Sequence, residues 1–391
     1  MESVSSQREN FISLLEMWSS INSYTENIEG LSHMLTALKR AFQPLEGKIH
    51  QILLPPRQKI DSKGQMINIP VGDALLIKKH PEAPIQILLA GHMDTVYPIS
   101  SSFQIPSRIS PQILQGPGVA DMKGGLLIIL KALEILEKSS AAGKIGWEVL
   151  ITPDEEVGSP SSTPLYRECA KKHQLGLIFE PSFPNGNLVS SRKGSANFTV
   201  IARGKAAHAG RDFALGRNAI TALARFIMEA EALNEPEKGI TINIGHIEGG
   251  GPVNIVPDLA ICRINIRMME TVDLQTLKQK FDEIAKRCNC YEGISLMLHE
   301  QGSRSPKPFD KKTKELFESM KSRAQTLGIE LDWQPSGGVC DGNILAEEGL
   351  PTIDTLGAIG GNLHTSDEYI LVHSLVERTL LVSEFLINLC D

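Results

Sequence analysis

The chain has no basic tract, no apolar run of membrane length, and no paired cysteine spacing of the kind that holds a structural metal. With a formal net charge of -7 and no lysine- or arginine-rich stretch interleaved with aromatics, a general affinity for nucleic acid phosphates is not expected. The longest apolar stretch, LLIILKALEIL, is too short to span a bilayer and is broken by Lys131 and Glu134. Six cysteines are scattered, only Cys288 and Cys290 lying close together, which reads as reduced thiols. The segment MESVSSQRENFISLLEMWSS lacks a basic region leading into an apolar run, so no secretory signal is expected and the cytoplasm is the expected location. There are no repeats or low-complexity tracts. What is present is ordinary globular composition, 41% apolar and 22% charged over 391 residues, enough for a large core and more than one domain.

Helical patterns at about residues 8–20 and 30–42 lead into strand-like QILLP and DALLIKKH. A core strand over Ile85–Ala90, a helix over Lys123–Lys138, then WEVLIT and LGLIFE follow. Short apolar strands alternating with helices predict an α/β fold with a central sheet flanked by helices, whose ligands sit beyond the strands' carboxyl ends. From about Gly194 the texture changes to strand–helix–strand–strand–helix–strand, which predicts a small α+β, ferredoxin-like domain inserted at 194–302. Residues 1–193 and 303–391 then form one discontinuous larger domain, closed by a helix over Val372–Cys390.

The chemistry-bearing residues gather at strand ends and in glycine-rich loops. They are His92 and Asp94 in GHMDTV, Asp121 in GPGVADMKGG, Glu155 and Glu156 in TPDEEVGS, Glu180 in IFEP, and His364 in GGNLHTSDE. Taken singly, each has a bland reading. Asp94 suits a turn and Asp121 a helix cap, a DEE is usually a solvated acidic turn, and a lone histidine after a strand is usually not a ligand. As a set, two histidines and three carboxylates suffice for two divalent ions if one carboxylate bridges, and imidazole with carboxylate oxygen suits zinc. Such a pair polarises a carbonyl and makes hydroxide available at neutral pH. The adjacent Glu155 and Glu156 can divide into a ligand and a base.

These motifs in this order resemble the co-catalytic zinc peptidases and deacylases, the family of glutamate carboxypeptidase, acetylornithine deacetylase, succinyl-diaminopimelate desuccinylase and aminoacylase. The resemblance covers nearly the whole chain beyond the N-terminal helices and is nearest to the glutamate carboxypeptidase branch. It implies two zinc ions per subunit, with cobalt or manganese as substitutes. Asp121 would bridge them, His92 and Glu180 would complete one site, and Glu156 and His364 the other. Glu155 would be the general base, and Asp94 would fix the His92 tautomer. A cis peptide would follow Asp121. In the inserted lid or dimerisation domain, His208 in GKAAHAG would donate to the developing oxyanion. Asn254 and Arg267 would grip the substrate's carboxylate and backbone, and Gly337 and Gly338 would bring bare backbone up to it. A homodimer is implied. The chain departs from the pattern at Asn265, usually aspartate, and at Cys340, usually serine or threonine. Arg192 and Lys193 stand where a basic residue helps the glutamate-type enzymes read an acidic side chain.

The function expected is hydrolysis of an amide next to an amino acid with a free carboxylate, in a small molecule or short peptide. An N-acyl-amino-acid deacylase is the first alternative. Two readings from other classes are a thiol hydrolase using Cys340 with His364, and an inactive binding protein on the same scaffold. The cysteine has no neighbouring cation in sequence to activate it, and a binding module has no reason to keep Glu155.

Overall fold

The computed structural model describes residues 7–390. Helix α1 (Arg8–Ser19) turns Phe11, Ile12, Leu15 and Trp18 inward. Helix α2 (Ile28–Phe42) starts at Asn27, whose side-chain oxygen accepts from the Gly30 N–H at 3.1 Å, a standard N-cap. Next come β1 (Lys48–Ile52), β2 (Ala74–Lys79), β3 (Ile85–His92), α3 (Gly124–Leu136), β4 (Ile145–Thr152) and β5 (Leu175–Ile178). They form a six-stranded mixed sheet in the order β1-β2-β4-β3-β5, closed by the short strand Thr352–Ile353. β3 runs parallel to β4 and β5, while β2 is antiparallel to both β1 and β4.

The sheet is covered on both faces, which is why its strands read as unbroken apolar runs. Ile87 and Leu89 enter one core with Trp18, Leu130 and Phe385; Leu88 and Ala90 enter another with Tyr166, Ile344 and Leu345. The first strand begins earlier than QILLP implied. Pairing with β2 sets it at Lys48–Ile52, and Pro55 and Pro56, lacking N–H donors, follow its end. Two features were not foreseen: the hairpin Arg57–Ile60/Met66–Ile69, and a four-stranded sheet joining residues 107–115 to 360–371.

A separate apolar core gathers residues from Ala196 to Leu296. Around it lie β6 (Gly194–Arg203), α4 (Ala219–Glu231), β7 (Thr241–Gly249), β8 (Leu259–Met268), α5 (Thr271–Asn289) and β9 (Ser295–Arg304), the order the sequence pattern implied. The strands pair antiparallel as β7-β8-β6-β9. The helices pack on one face, and the other carries polar residues including Asn197, Asn265 and Arg267. The final helix, His373–Ile387, packs back on α3. No helix among the described residues is long and apolar enough to cross a membrane.

Candidate metal centre

Three parallel strands deliver the acidic and imidazole groups to one edge of the sheet. His92 is the last residue of β3, Glu155 and Glu156 follow β4 after Pro153–Asp154, and Glu180 lies two residues past β5. Asp121 precedes α3, on a loop that turns at Gly118 with φ 72°, and the Asp121–Met122 peptide is cis. A side chain at Gly118 would be strained by that φ and would meet Thr95 Cγ2 at 2.8 Å. His364 comes from the loop joining the C-terminal strands.

Two triads of donor atoms result, His92–Asp121–Glu180 and Asp121–Glu156–His364, each with its atoms within 4.8 Å of one another. They share Asp121. His92 Nε2 stands 3.1 Å from Asp121 Oδ1 and 3.8 Å from Glu180 Oε2; His364 Nε2 stands 3.4 Å from Asp121 Oδ2 and 3.3 Å from Glu156 Oε2. Burial disfavours the His92 imidazolium, but hydrogen bonds to Asp121, Asp94 and Glu180 outweigh it and hold its pKa above the usual value. His364 is pushed up to about 10 by hydrogen bonds to Asp121 and Glu156. Burial opposes ionisation of Asp121, yet the two imidazoles hold its pKa below the ordinary carboxylate range. Glu156 is raised by burial and then by the Asp121 charge; Glu180 is raised by burial against the pull of His92. Among the described residues Glu156 Oε1, itself buried, has no hydrogen-bond partner. An orphaned carboxylate oxygen beside crowded like charges calls for cations, and this donor set fits a pair of divalent ions.

Supporting contacts hold the donors in place. His92 Nδ1 lies 3.0 Å from the Asp94 carbonyl and 3.3 Å from its carboxylate, so both the backbone and the side chain of Asp94 face the ring. The same carboxylate accepts from the Glu155 and Glu156 N–H groups, both at 3.2 Å, and from Thr25 Oγ1 at 2.7 Å. Met93, between the two polar residues, is fully buried in the core. Glu368 accepts from the N–H groups of Gly118, Ala120 and Asp121 at 3.1, 2.8 and 3.0 Å, and from Tyr97 Oη at 2.7 Å. It therefore locks the Asp121 loop to the His364 loop. Beneath them Lys123 is buried, donating to the Trp18 and Ile21 carbonyls, and burial lowers it to about 7. Neither Thr25 nor Glu368 carries a motif of its own; the one local signal is that Glu368 stands within HTSDE.

Glu155 is half-buried and loss of solvent raises its pKa, although Arg304 opposes the rise. Arg304 Nη1 donates to Glu155 Oε1 at 2.8 Å, another contact no motif pointed to. A cleft of about 470 Å³ opens on the centre, with Pro181, Phe183, Pro184, Val189, Val339 and Leu363 forming an apolar wall. Gly338 lines it and accepts from Arg192 Nη1 at 3.2 Å, while the rest of that guanidinium engages Asp354 at 3.0 and 3.3 Å. Lys193 turns away to the Gly239 carbonyl. Gly337, His208, Asn254 and Arg267 do not line this cleft. His208 is exposed, and its Nδ1 accepts from the Gly210 and Arg211 N–H groups at 3.1 and 3.2 Å, which leaves Nε2–H free to donate. The Asn254 carbonyl accepts from the Ala209 N–H, tying the two segments together. Arg267 is half-buried; its Nε donates to Asn265 Oδ1 at 3.0 Å, and its buried Nη1 has no partner among the described residues. Cys340 is buried, and that burial pushes its thiol up even though Arg192, a neighbouring cation the sequence did not reveal, pulls the other way; the thiol contacts Asp354 and the Gly342 N–H. His364 faces carboxylates instead, so the pairing needed by a thiol hydrolase is not formed.

Residues 88–388 match the sequence pattern of Peptidase family M20/M25/M40. The chain is 27% identical over 333 residues to carboxypeptidase G2 of Pseudomonas sp. (strain RS-16), covering 84% of this chain and 80% of that one. It is 26% identical over 344 residues to succinyl-diaminopimelate desuccinylase of Nitrosococcus oceani, covering 83% and 89%. In fold it is similar to an M20 family metallo-carboxypeptidase of Sulfolobus solfataricus, with TM-score 0.75, 19% identity and coverage of 96% and 98%. The strand-end donors and the match across most of the chain lead to one conclusion: this protein belongs to peptidase family M20/M25/M40 and is a metallopeptidase of that family.

Proposed function

We propose that the protein is a di-zinc carboxypeptidase-type amidohydrolase, cleaving the amide next to an amino acid that bears a free carboxylate. The observation that carries this reading is the pair of donor triads sharing Asp121 with the Glu155 carboxyl adjacent. Asp121 would serve both ions, His92 and Glu180 would complete the donor set of one, and Glu156 and His364 that of the other. Bound there, the ions supply Lewis-acid polarisation of the scissile carbonyl and a water acidified to near-neutral pKa. Glu155, kept basic by burial, takes the proton of the attacking water and returns it to the leaving nitrogen. Asp94 holds the turn that carries Glu155 and Glu156.

Arg267, with an unpartnered Nη1 and only a neutral amide beside its Nε, binds the substrate carboxylate through two parallel hydrogen bonds. His208 Nε2–H donates to the carbonyl oxygen, and Asn254 and the Gly337–Gly338 backbone steady the substrate. Since His208, Asn254 and Arg267 lie outside the cleft of their own chain, they reach substrate by closure of domain 194–302 or from a second copy in a homodimer. The apolar wall of the cleft favours a bulky apolar acyl group over succinyl, because Arg192, the one arginine or lysine among the described residues lining it, is already engaged by Asp354. The free state of Cys169, Cys262, Cys288, Cys290 and Cys340 supports a cytoplasmic setting.

The test is Glu155→Ala, with zinc binding followed by calorimetry and turnover measured on N-acyl, N-succinyl, folyl-type and dipeptide substrates. Two zinc ions should still bind while kcat falls by at least about 10²-fold. Equal loss of metal and turnover would remove Glu155 from the base role, and activity that survives a chelator would end the zinc reading.

A further inference from the structure

Arg304 is the last residue of β9, where the chain leaves the small domain, and its side chain is buried. Its Nη2 donates to Asp341 Oδ1 at 2.7 Å and to Ser159 Oγ at 2.9 Å. Asp341 balances the charge and two contacts anchor Nη2, while Nε is buried with no hydrogen-bond partner among the described residues. Nη1 nonetheless extends to Glu155 Oε1, and Arg304 is the one hydrogen-bond partner of the Glu155 carboxyl among the described residues. The guanidinium is planar, so fixing Nη2 at two points fixes the direction in which Nη1 aims.

The sheet adds a second constraint. Ser195 in β6 stands opposite Arg267 in β8 on one side and opposite Arg304 in β9 on the other. Residues opposite one another in neighbouring strands project from the same face, so both arginines rise from one row, two strand spacings or about 10 Å apart. Arg267 has a neutral partner and an unpartnered Nη1; Arg304 is charge-balanced and committed to Glu155. One row thus carries a cation with an unpartnered Nη1 and the cation that reaches Glu155.

We propose that Arg304 is a positioning residue for catalysis: it fixes the Glu155 carboxyl in the proton-transfer orientation and keeps it in register with Arg267. This rests on Glu155 being the general base. Arg304→Lys keeps the charge but cannot bridge Glu155, Ser159 and Asp341 with one planar fork. The assay is steady-state hydrolysis of N-benzoyl-L-glutamate or N-succinyl-L-glutamate, whichever the zinc-loaded wild-type protein turns over faster. Arg304→Lys should lower kcat roughly 10- to 100-fold, the scale of a small misplacement of a reacting group, with KM and the zinc stoichiometry from calorimetry nearly unchanged. Introduced into Glu155→Gln, the same change should cost less than about threefold more, because the group it positions is already gone. Full multiplicativity of the two losses, or a loss carried by KM, would overturn the proposal. Near-wild-type activity of Glu155→Gln alone would instead overturn the base assignment. Ser159→Ala, which frees one anchor of Nη2 without changing charge, should lower kcat in the same direction and serves if Arg304→Lys does not fold; unchanged kcat there counts against the proposal.

Discussion

Replacing Asp94 with asparagine asks whether a carboxylate behind the turn is what aims Glu155 and Glu156. One oxygen of Asp94 accepts from the Glu155 N–H at 3.2 Å and faces His92 Nδ1 at 3.3 Å; the other accepts from the Glu156 N–H at 3.2 Å and from Thr25 Oγ1 at 2.7 Å. An amide must set its NH2 against one of these pairs. The better choice faces Thr25, whose hydroxyl can turn and accept, but it leaves the Glu156 N–H pointing at a donor. A buried donor left unpaired costs about 1–3 kcal/mol. Expressed wholly in the transition state, that is roughly 5- to 150-fold in rate. We expect kcat on an N-acyl amino acid to fall about 10- to 100-fold, with two zinc ions retained because no ligand atom is removed. Zinc by atomic absorption and steady-state kinetics on the same sample give the answer. Wild-type kcat would refute the hydrogen-bond argument, and loss of one zinc ion would mean that Asp94 is itself a ligand.

Two further expectations concern the metal and the assembly. In the metal-free protein His364 is raised to about 10 by Asp121 and Glu156, and Glu156 is raised by burial, so near pH 7 the centre holds protons. A metal must displace them, so zinc affinity should rise with pH from 6 to 8 and binding should release protons; calorimetric heats that do not vary with the buffer's ionisation enthalpy would contradict this. The edge strand β7 and the exposed Met228, Ile247 and Val253 offer a surface for a second copy, so light scattering should give twice the 42.8 kDa chain mass. A monomer throughout the micromolar range would refute the dimer.

Much of the centre was legible because its donors sit where strands stop. His92, the Glu155–Glu156 pair and Glu180 each follow an apolar run, and parallel strands of one sheet end at a common edge. The inserted α+β unit was legible for a similar reason, since its alternating strands differ from the continuous apolar runs of a sheet covered twice. Arg304 and Glu368 were not. Arg304 reaches Glu155 across 149 positions and Glu368 reaches the Asp121 loop across 247, and neither contact leaves a local periodicity or turn signature. The strand near QILLP shifted because pairing with β2, rather than hydrophobicity, sets where it runs.

Composition, strand–helix alternation and the order of His, Asp and Glu at strand ends were enough to specify an α/β sheet with an acidic, histidine-bearing edge. Those properties are local, because burial pattern and backbone geometry act over a few residues. Which oxygen faces which nitrogen, how Asp94 and Thr25 brace the Glu155–Glu156 turn, and that His208 and Asn254 stand outside the cleft while Arg304 reaches the Glu155 carboxyl were settled by packing. They depend on distances between segments 60 to 250 residues apart, and those distances exist once the sheets have formed and docked.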